Sequence, residues 1–191
     1  MKFNIRSLLI IAIVLSVSSC EAKKEPEKKE VQKKAAAGYV INFKPNDSLD
    51  LVPPKTLILQ QSPAEGQNIF CLDVMAKTID RVSEVVFELS FDPAGISYQS
   101  YKPGVLFEQK GKPAYKIGLK GDQKGKLEVK ISFESGTAGA SGSGKLVTLC
   151  FKALEPGRRD ILFENGELLD LRKKKMAGVT WVGGLLWVLE A

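Results

Sequence analysis

From Tyr39 onward, apolar residues recur at every second position, and Gly, Pro, Asn or Asp interrupts each run. Between Val85 and Phe91, the residues Val85, Phe87, Leu89 and Phe91 fall on one face and Val86, Glu88 and Ser90 on the other, the period of a strand packed on one side. Pro93 cannot continue a ladder and biases Asp92 away from the helical region, so the chain turns there before a second extended run closes at Pro103-Gly104. Leu127, Val129, Ile131 and Phe133 alternate cleanly with Glu128, Lys130, Ser132 and Glu134. The same alternation sets Phe70, Leu72, Val74 and Ala76 against Cys71, Asp73, Met75 and Lys77, and Val147, Leu149, Phe151 and Ala153 against Thr148, Cys150 and Lys152. Tyr115, Ile117 and Leu119 make another run, with shorter ones at Val40 to Phe43, at Leu57 to Leu59, and at Ile161 to Phe163 before an end at Asn165-Gly166. Gly183-Gly184 precedes an apolar closing segment that reaches Leu189. A helical stripe of Ile79, Val82, Val86 and Leu89 competes over 77–89, but β-branched content and the Asp-Pro stop favour a strand. The pattern predicts some nine short strands and an antiparallel sandwich.

The first residues follow a different rule. Residues 1–20 have a short basic start, an apolar run from Leu8 to Val17 and small residues before Cys20. That run is too short to span a bilayer and has the flanks of a secretory signal peptide. Its ending, Val17-Ser18-Ser19-Cys20, resembles the lipobox of bacterial lipoproteins, in which cleavage before the cysteine follows attachment of a diacylglycerol to its sulfur. Residues 1–19 are therefore expected to be a signal peptide and Cys20 the lipidated residue, its acyl chains holding the protein to a membrane. Glu21 follows where Asp would favour inner-membrane retention, so in a Gram-negative envelope the address is the outer membrane. The next stretch, Lys- and Glu-rich and broken by Pro26, has almost nothing to bury; 20–38 reads as a disordered tether and 39–191 as the sandwich domain.

Composition narrows the chemistry. The chain of 191 residues is 44% hydrophobic and 26% charged, enough for one domain with a real core. It contains no histidine, which removes Ser-His-Asp triads, Cys-His pairs and His-liganded zinc. Asp and Glu are scattered with nothing to set two in one cleft, so neither an enzyme nor a cofactor is expected. The formal charge of +6 falls to +4 without Lys2 and Arg6, and the remaining cations are interspersed with acids, so no nucleic acid is expected as a partner. Gly139 to Lys145 has the G-x-x-x-x-G-K spacing of a phosphate-binding loop, but Leu146 follows where Ser or Thr must ligate magnesium, and a strand pattern continues where a helix is needed. The segment reads as a flexible turn. Arg172-Lys173-Lys174-Lys175 reads as a solvated loop.

With the strands placed, 66–189 resembles the cohesin domain of the carbohydrate-binding-module-like sandwich superfamily. FCLDVMAKTIDRVSEVVFELSFDP is similar to the family's alternating strand, short connection and F-x-L-x-Y-D-P strand, with Phe91 in place of Tyr. Ile96, Ser97 and Lys102-Pro103-Gly104 match the strand that follows; SGSGKLVTLCFKA resembles a Gly-rich loop entering the A-T-I-x-F-x-V strand; Gly183-Gly184 matches the Gly-Gly before the terminal strand. The resemblance implies a nine-stranded jelly roll whose sheet faces or loops bind a protein, a dockerin in cellulosomes. A polysaccharide ligand, or a place in a secretion or pilus complex, are the alternatives. Val86, Glu88 and Ser90 on the polar face form a candidate surface, with Tyr98 and Tyr101 as candidate contacts for a ligand. Trp187 shares its parity with Leu185 and Leu189 and is expected to pack inside.

Cys71 and Cys150 remain once Cys20 is lipidated. An oxidising compartment favours joining them. The resemblance, however, sets their strands in opposite sheets with both sulfurs outward, which separates them by more than the thickness of a sandwich and disfavours a Cys71–Cys150 disulfide.

Overall fold

The computed structural model describes residues 38–106, 108–109, 112–113, 115–121, 124–133 and 139–191. The signal peptide, Cys20 and the tether up to residue 37 lie outside the described residues. In chain order the strands are β1 (Tyr39–Pro45), β2 (Thr56–Gly66), β3 (Ile69–Phe91), β4 (Ile96–Pro103), β5 (Glu108–Gln109), β6 (Lys112–Pro113), β7 (Tyr115–Gly121), β8 (Lys126–Phe133), β9 (Ala140–Ala153), β10 (Gly157–Asp170), β11 (Thr180–Val182) and β12 (Gly184–Glu190). The described residues contain no helix, so the helical stripe over 77–89 loses to the β pattern.

Two layers share one strand. The first half of β3 pairs with β2 and β9, which carry β11 and β4 outside them, giving the order β11-β2-β3-β9-β4. The second half pairs with β8 and β10, extending the other layer to β7-β8-β3-β10-β12-β1. β3 changes layer around Thr78 and Arg81, both in the left-handed region at φ 51° and 49°, where its pairing with β9 skips residues. β3 thus does the work of two of the expected strands, and β11 and β12 divide the terminal strand between the layers at Gly183. The Gly183-Gly184 pair is required by close approach, since a Cβ on Gly184 would lie 2.3 Å from the Phe43 ring and 2.5 Å from the Lys44 carbonyl oxygen.

The Gly/Ser segment expected to be a flexible turn is the start of β9, and it completes the β3 corner. A bend that takes residues out of the ladder leaves backbone N–H groups without partners. Here the Ser143 and Ser141 hydroxyls accept from the N–H groups of Thr78 (2.8 Å) and Arg81 (2.9 Å), and Ser141 donates to Asp80 (2.9 Å). Likewise Asn165-Gly166 does not end a strand: β10 continues past it through a bulge, with Asn165 at φ 51°. The Asp-Pro corner is as expected, with Gly95 and Ile96 N–H groups donating to the Asp92 carbonyl and the Ala94 N–H to its side chain.

The core lies between the layers. Phe87 of one layer meets Phe163 edge-on at 5.2 Å and Trp181 of the other layer at 6.1 Å. Phe91 and Phe151 close the other end of the same core at 5.5 Å, with Phe70 and Tyr98 also against Phe151. A second, small cluster sits on the outside of the β2–β3 layer, where 46–55 folds over Ile58 and Val182 through Val52. The Lys77 ammonium fixes that loop by donating to the carbonyls of Leu49, Asp50 and Val52.

The disfavoured disulfide is present: Cys71 and Cys150 are bonded, S–S 2.09 Å. The expectation failed on layer assignment, not on parity. Both cysteines do have the parity of Asp73 and Thr148, but β3 and β9 are hydrogen-bonded neighbours in one layer, and the register sets Cys71 directly opposite Cys150, with Cα atoms 4.0 Å apart. Neighbouring residues bury the pair, leaving it 0% and 1% exposed.

Candidate binding surface

The outward side of the β7-to-β1 layer divides into two halves. Around β3, the alternation that sends Val85, Phe87 and Leu89 into the core turns Glu84, Val86, Glu88 and Ser90 outward, opposite Ser132, Lys130, Glu128 and Lys126 of β8. β10 adds Glu164 opposite Glu88 and Glu167 opposite Val86. Val86, Glu88 and Ser90 are therefore on one open sheet face, as expected, in a strip of alternating charge. Tyr98 and Tyr101 are in the other layer, on its edge strand β4. The structure does not bring them onto the Val86 face.

The strip is electrostatically ordered. Lys126 donates to Glu88 (2.7 Å) and to Glu164 (3.2 Å), which raises its affinity for its proton. A hydrogen bond from Ser90 and those from Lys126 hold Glu164 below its ordinary value. Glu84 is 8% exposed and lies between Lys130 (2.9 Å) and Lys173 (3.2 Å). Burial works to raise its carboxyl, but the hydrogen bonds and charges of the two lysines together outweigh it and keep the group below its ordinary value of 4.5. A carboxylate whose folded value is depressed contributes stability above its unfolded value and loses it as pH falls through the folded one. Glu84→Gln should accordingly be less stable than the native protein at pH 7; the gap should begin to close below the ordinary value of 4.5 and vanish in stronger acid. Urea unfolding at pH 7, 5 and 3 measures it; a gap that widened with acid would contradict the assignment.

Shallow hollows break the strip. Gly118 of β7 presents no side chain, and a Cβ placed there would meet nothing within 4 Å. A depression of about 240 Å³ forms over it between Lys120, Glu128 and Lys130, next to one of about 150 Å³ among Glu88, Lys120, Lys126 and Glu128. Round the end of the sandwich, an apolar cleft of about 430 Å³ lies among Phe91, Pro93, Ile96, Ser97 and Tyr98, with Lys126 at its side. Lys126 thus borders both the charged strip and the cleft that Tyr98 lines. Tyr98 is half-buried against Phe151, and burial, with a smaller effect of Tyr101, pushes its phenol up. Tyr101 is 41% exposed.

The other half of the face, on β10, β12 and β1, corrects the reading of Trp187. Leu186 and Val188 are the inward residues of β12, fully buried, so Leu185, Trp187 and Leu189 project outward. Trp181 is the tryptophan in the core. The chain signal was ambiguous because both parities of β12 are apolar.

Arg172 to Lys175 form an ordered loop. The Asp170 carboxylate accepts from the backbone N–H groups of Arg172 and Lys174, 2.8 and 2.9 Å, and those bonds, Lys174 first, hold it below its ordinary value. Lys173 and Lys175 turn back to Glu84 and Glu167. Among the described residues no three His, Cys, Asp or Glu side chains are placed to hold a metal ion.

No protein-family model matches the sequence, and no curated protein matches it. Solved structures do. A non-cellulosomal cohesin from the archaeon Archaeoglobus fulgidus aligns with a TM-score of 0.56 at 18% identity over 69% of this chain and 89% of its own. A type II cohesin in a cohesin–X–dockerin complex from Acetivibrio cellulolyticus aligns at 0.55 and 15% over 66% and 92%. A type II cohesin domain from the cellulosome of the same organism aligns at 0.54 and 16% over 80% and 95%. The likeness is one of fold: the described residues form a cohesin-like β-sandwich.

Proposed function

We propose that this chain is a lipid-anchored, non-enzymatic module of a cell envelope that binds a protein partner through its cohesin-like sandwich. Residues 1–19 are the signal peptide, Cys20 the anchor, 20–38 the tether and 39–191 the binding domain. The observation that carries the binding role is the open face around Val86, Glu88 and Ser90. Its charges are held in place by Lys126, Lys130 and Lys173 rather than left to solvent, and fixed charges favour a partner of matching pattern while repelling others. The similar structures support a protein ligand, since one of them is a cohesin in complex with a dockerin-bearing module. An accessory place in a secretion or pilus complex is an alternative reading.

The test is affinity capture with the full anchored chain. One envelope protein should be retained in stoichiometric amount by the native chain and lost with the double variant Lys126→Glu, Lys130→Glu, which replaces two exposed cations of the strip by anions and leaves Lys173 on Glu84. Capture that survives this reversal overturns the assignment of the face. A polysaccharide ligand is the second reading, favoured by the exposed Tyr101 and the outward Trp187. Glycan-array binding lost with Tyr101→Ala or Trp187→Ala would establish it.

A further inference from the structure

The β12 half of the outer face has the anatomy of an interface: an apolar centre containing a tryptophan, within a polar rim. Leu185, Trp187 and Leu189 form a ridge along β12. Val40 lies beside Leu189 on β1, the two 48% and 53% exposed, and Leu162 on β10 is 40% exposed. The register arranges the rim in rows across this ridge. In one row Lys44, Leu185 and Asp160 stand side by side; in the next, Asn42, Trp187 and Arg158. Lys44 and Asp160, on opposite sides of the ridge and both exposed, make no ion pair with any described residue.

That arrangement is complementary to itself under one operation. A two-fold axis running along β12, between two such faces stacked about 10 Å apart, lays each ridge on its own copy and exchanges the β1 side for the β10 side at constant height. Lys44 of one copy then faces Asp160 of the other, twice, and Asn42 faces Arg158, twice. A two-fold axis at right angles to the strands sets Lys44 near Val40 instead and gains no pair. We infer that this face binds a second copy of the chain, with the β12 ridges stacked about an axis parallel to β12 and Lys44–Asp160 ion pairs on both flanks.

Cross-linking of the full anchored chain in its own membrane tests this. With Leu189→Cys, an exposed position on the ridge, a bismaleimide spanning about 10 Å should give a covalent dimer. The native chain supplies the background, and Gln99→Cys, on the β4 edge, should stay at that background. Adding Lys44→Asp or Asp160→Lys to Leu189→Cys should reduce dimer yield about tenfold, because each variant sets like charges opposite each other twice. Co-producing the Lys44→Asp chain with the Asp160→Lys chain should restore it, since only the mixed pair has opposite charges on both flanks. No dimer from Leu189→Cys, a dimer indifferent to the charge changes, or no recovery on mixing would each overturn the proposal; a glycan or another protein seated on this face gives the first of these results.

Discussion

Replacing Cys71 and Cys150 together with alanine should lower the unfolding free energy of the domain by about 4.5 kcal/mol, the loop-closure entropy that a bridge across 79 residues removes from the unfolded chain. The expected loss is large against the 5–15 kcal/mol typical of folded domains. Urea unfolding of the full chain, followed by tryptophan fluorescence, measures it, and native protein treated with reductant should unfold at the same urea concentration as the double variant. Alkylation followed by mass measurement gives the direct check. Without reductant the denatured chain should take up no label at Cys71 or Cys150, and labelling of both would contradict the bridge. The bond joins β3 to β9 across the pairing that holds the first layer together, so its loss should destabilise the β2–β3–β9 side before the β8–β10 side.

Phe87→Ala should cost about 3–5 kcal/mol. Phe87 is 1% exposed and is the aromatic centre of the contact between layers, meeting Phe163 and Trp181. Its removal leaves a cavity that the paired strands β8, β3 and β10 cannot collapse to fill, because their spacing is set by backbone hydrogen bonds. Val86→Ala, one residue along and facing outward, is the matched comparison and should change stability by less than about 1 kcal/mol. Equal losses from the two would show that the alternation of β3 had been assigned to the wrong faces. Denaturant midpoints of the two variants decide this.

The contrast between these two residues shows what the chain makes legible. Strand faces with one apolar and one polar parity, such as Val85 to Phe91 and Leu127 to Phe133, were readable because burial on one side leaves a period of two in the sequence. The outward set Val86, Glu88 and Ser90 followed from the same signal. Trp187 was misread because β12 is apolar on both parities, and local pattern then carries no information about which side meets the core. The disulfide is disfavoured by the sequence for a different reason. Pairing of β3 with β9 depends on β3 crossing between layers, and the crossing is made by Thr78 and Arg81 in left-handed conformation, residues that do not announce a bend as Gly or Pro would. The serines of 141–143 that satisfy the bend sit some 60 residues further along, so their Gly-rich setting reads locally as a turn. The ion pairs of Glu84 and Lys126 join different strands and are likewise set by register rather than by spacing along the chain.

The central claim is that the charged face around Val86 meets a protein. A photo-crosslinking phenylalanine analogue in place of Val86, introduced into the full chain in its own cells, tests it most directly, with the same analogue at Gln60 of β2 on the other layer as comparison. The expected result is one cross-linked protein of defined mass from Val86, absent from Gln60 and lost when Lys126→Glu and Lys130→Glu are added. Cross-links from Gln60 but not from Val86, or protein-free products from both, would contradict it.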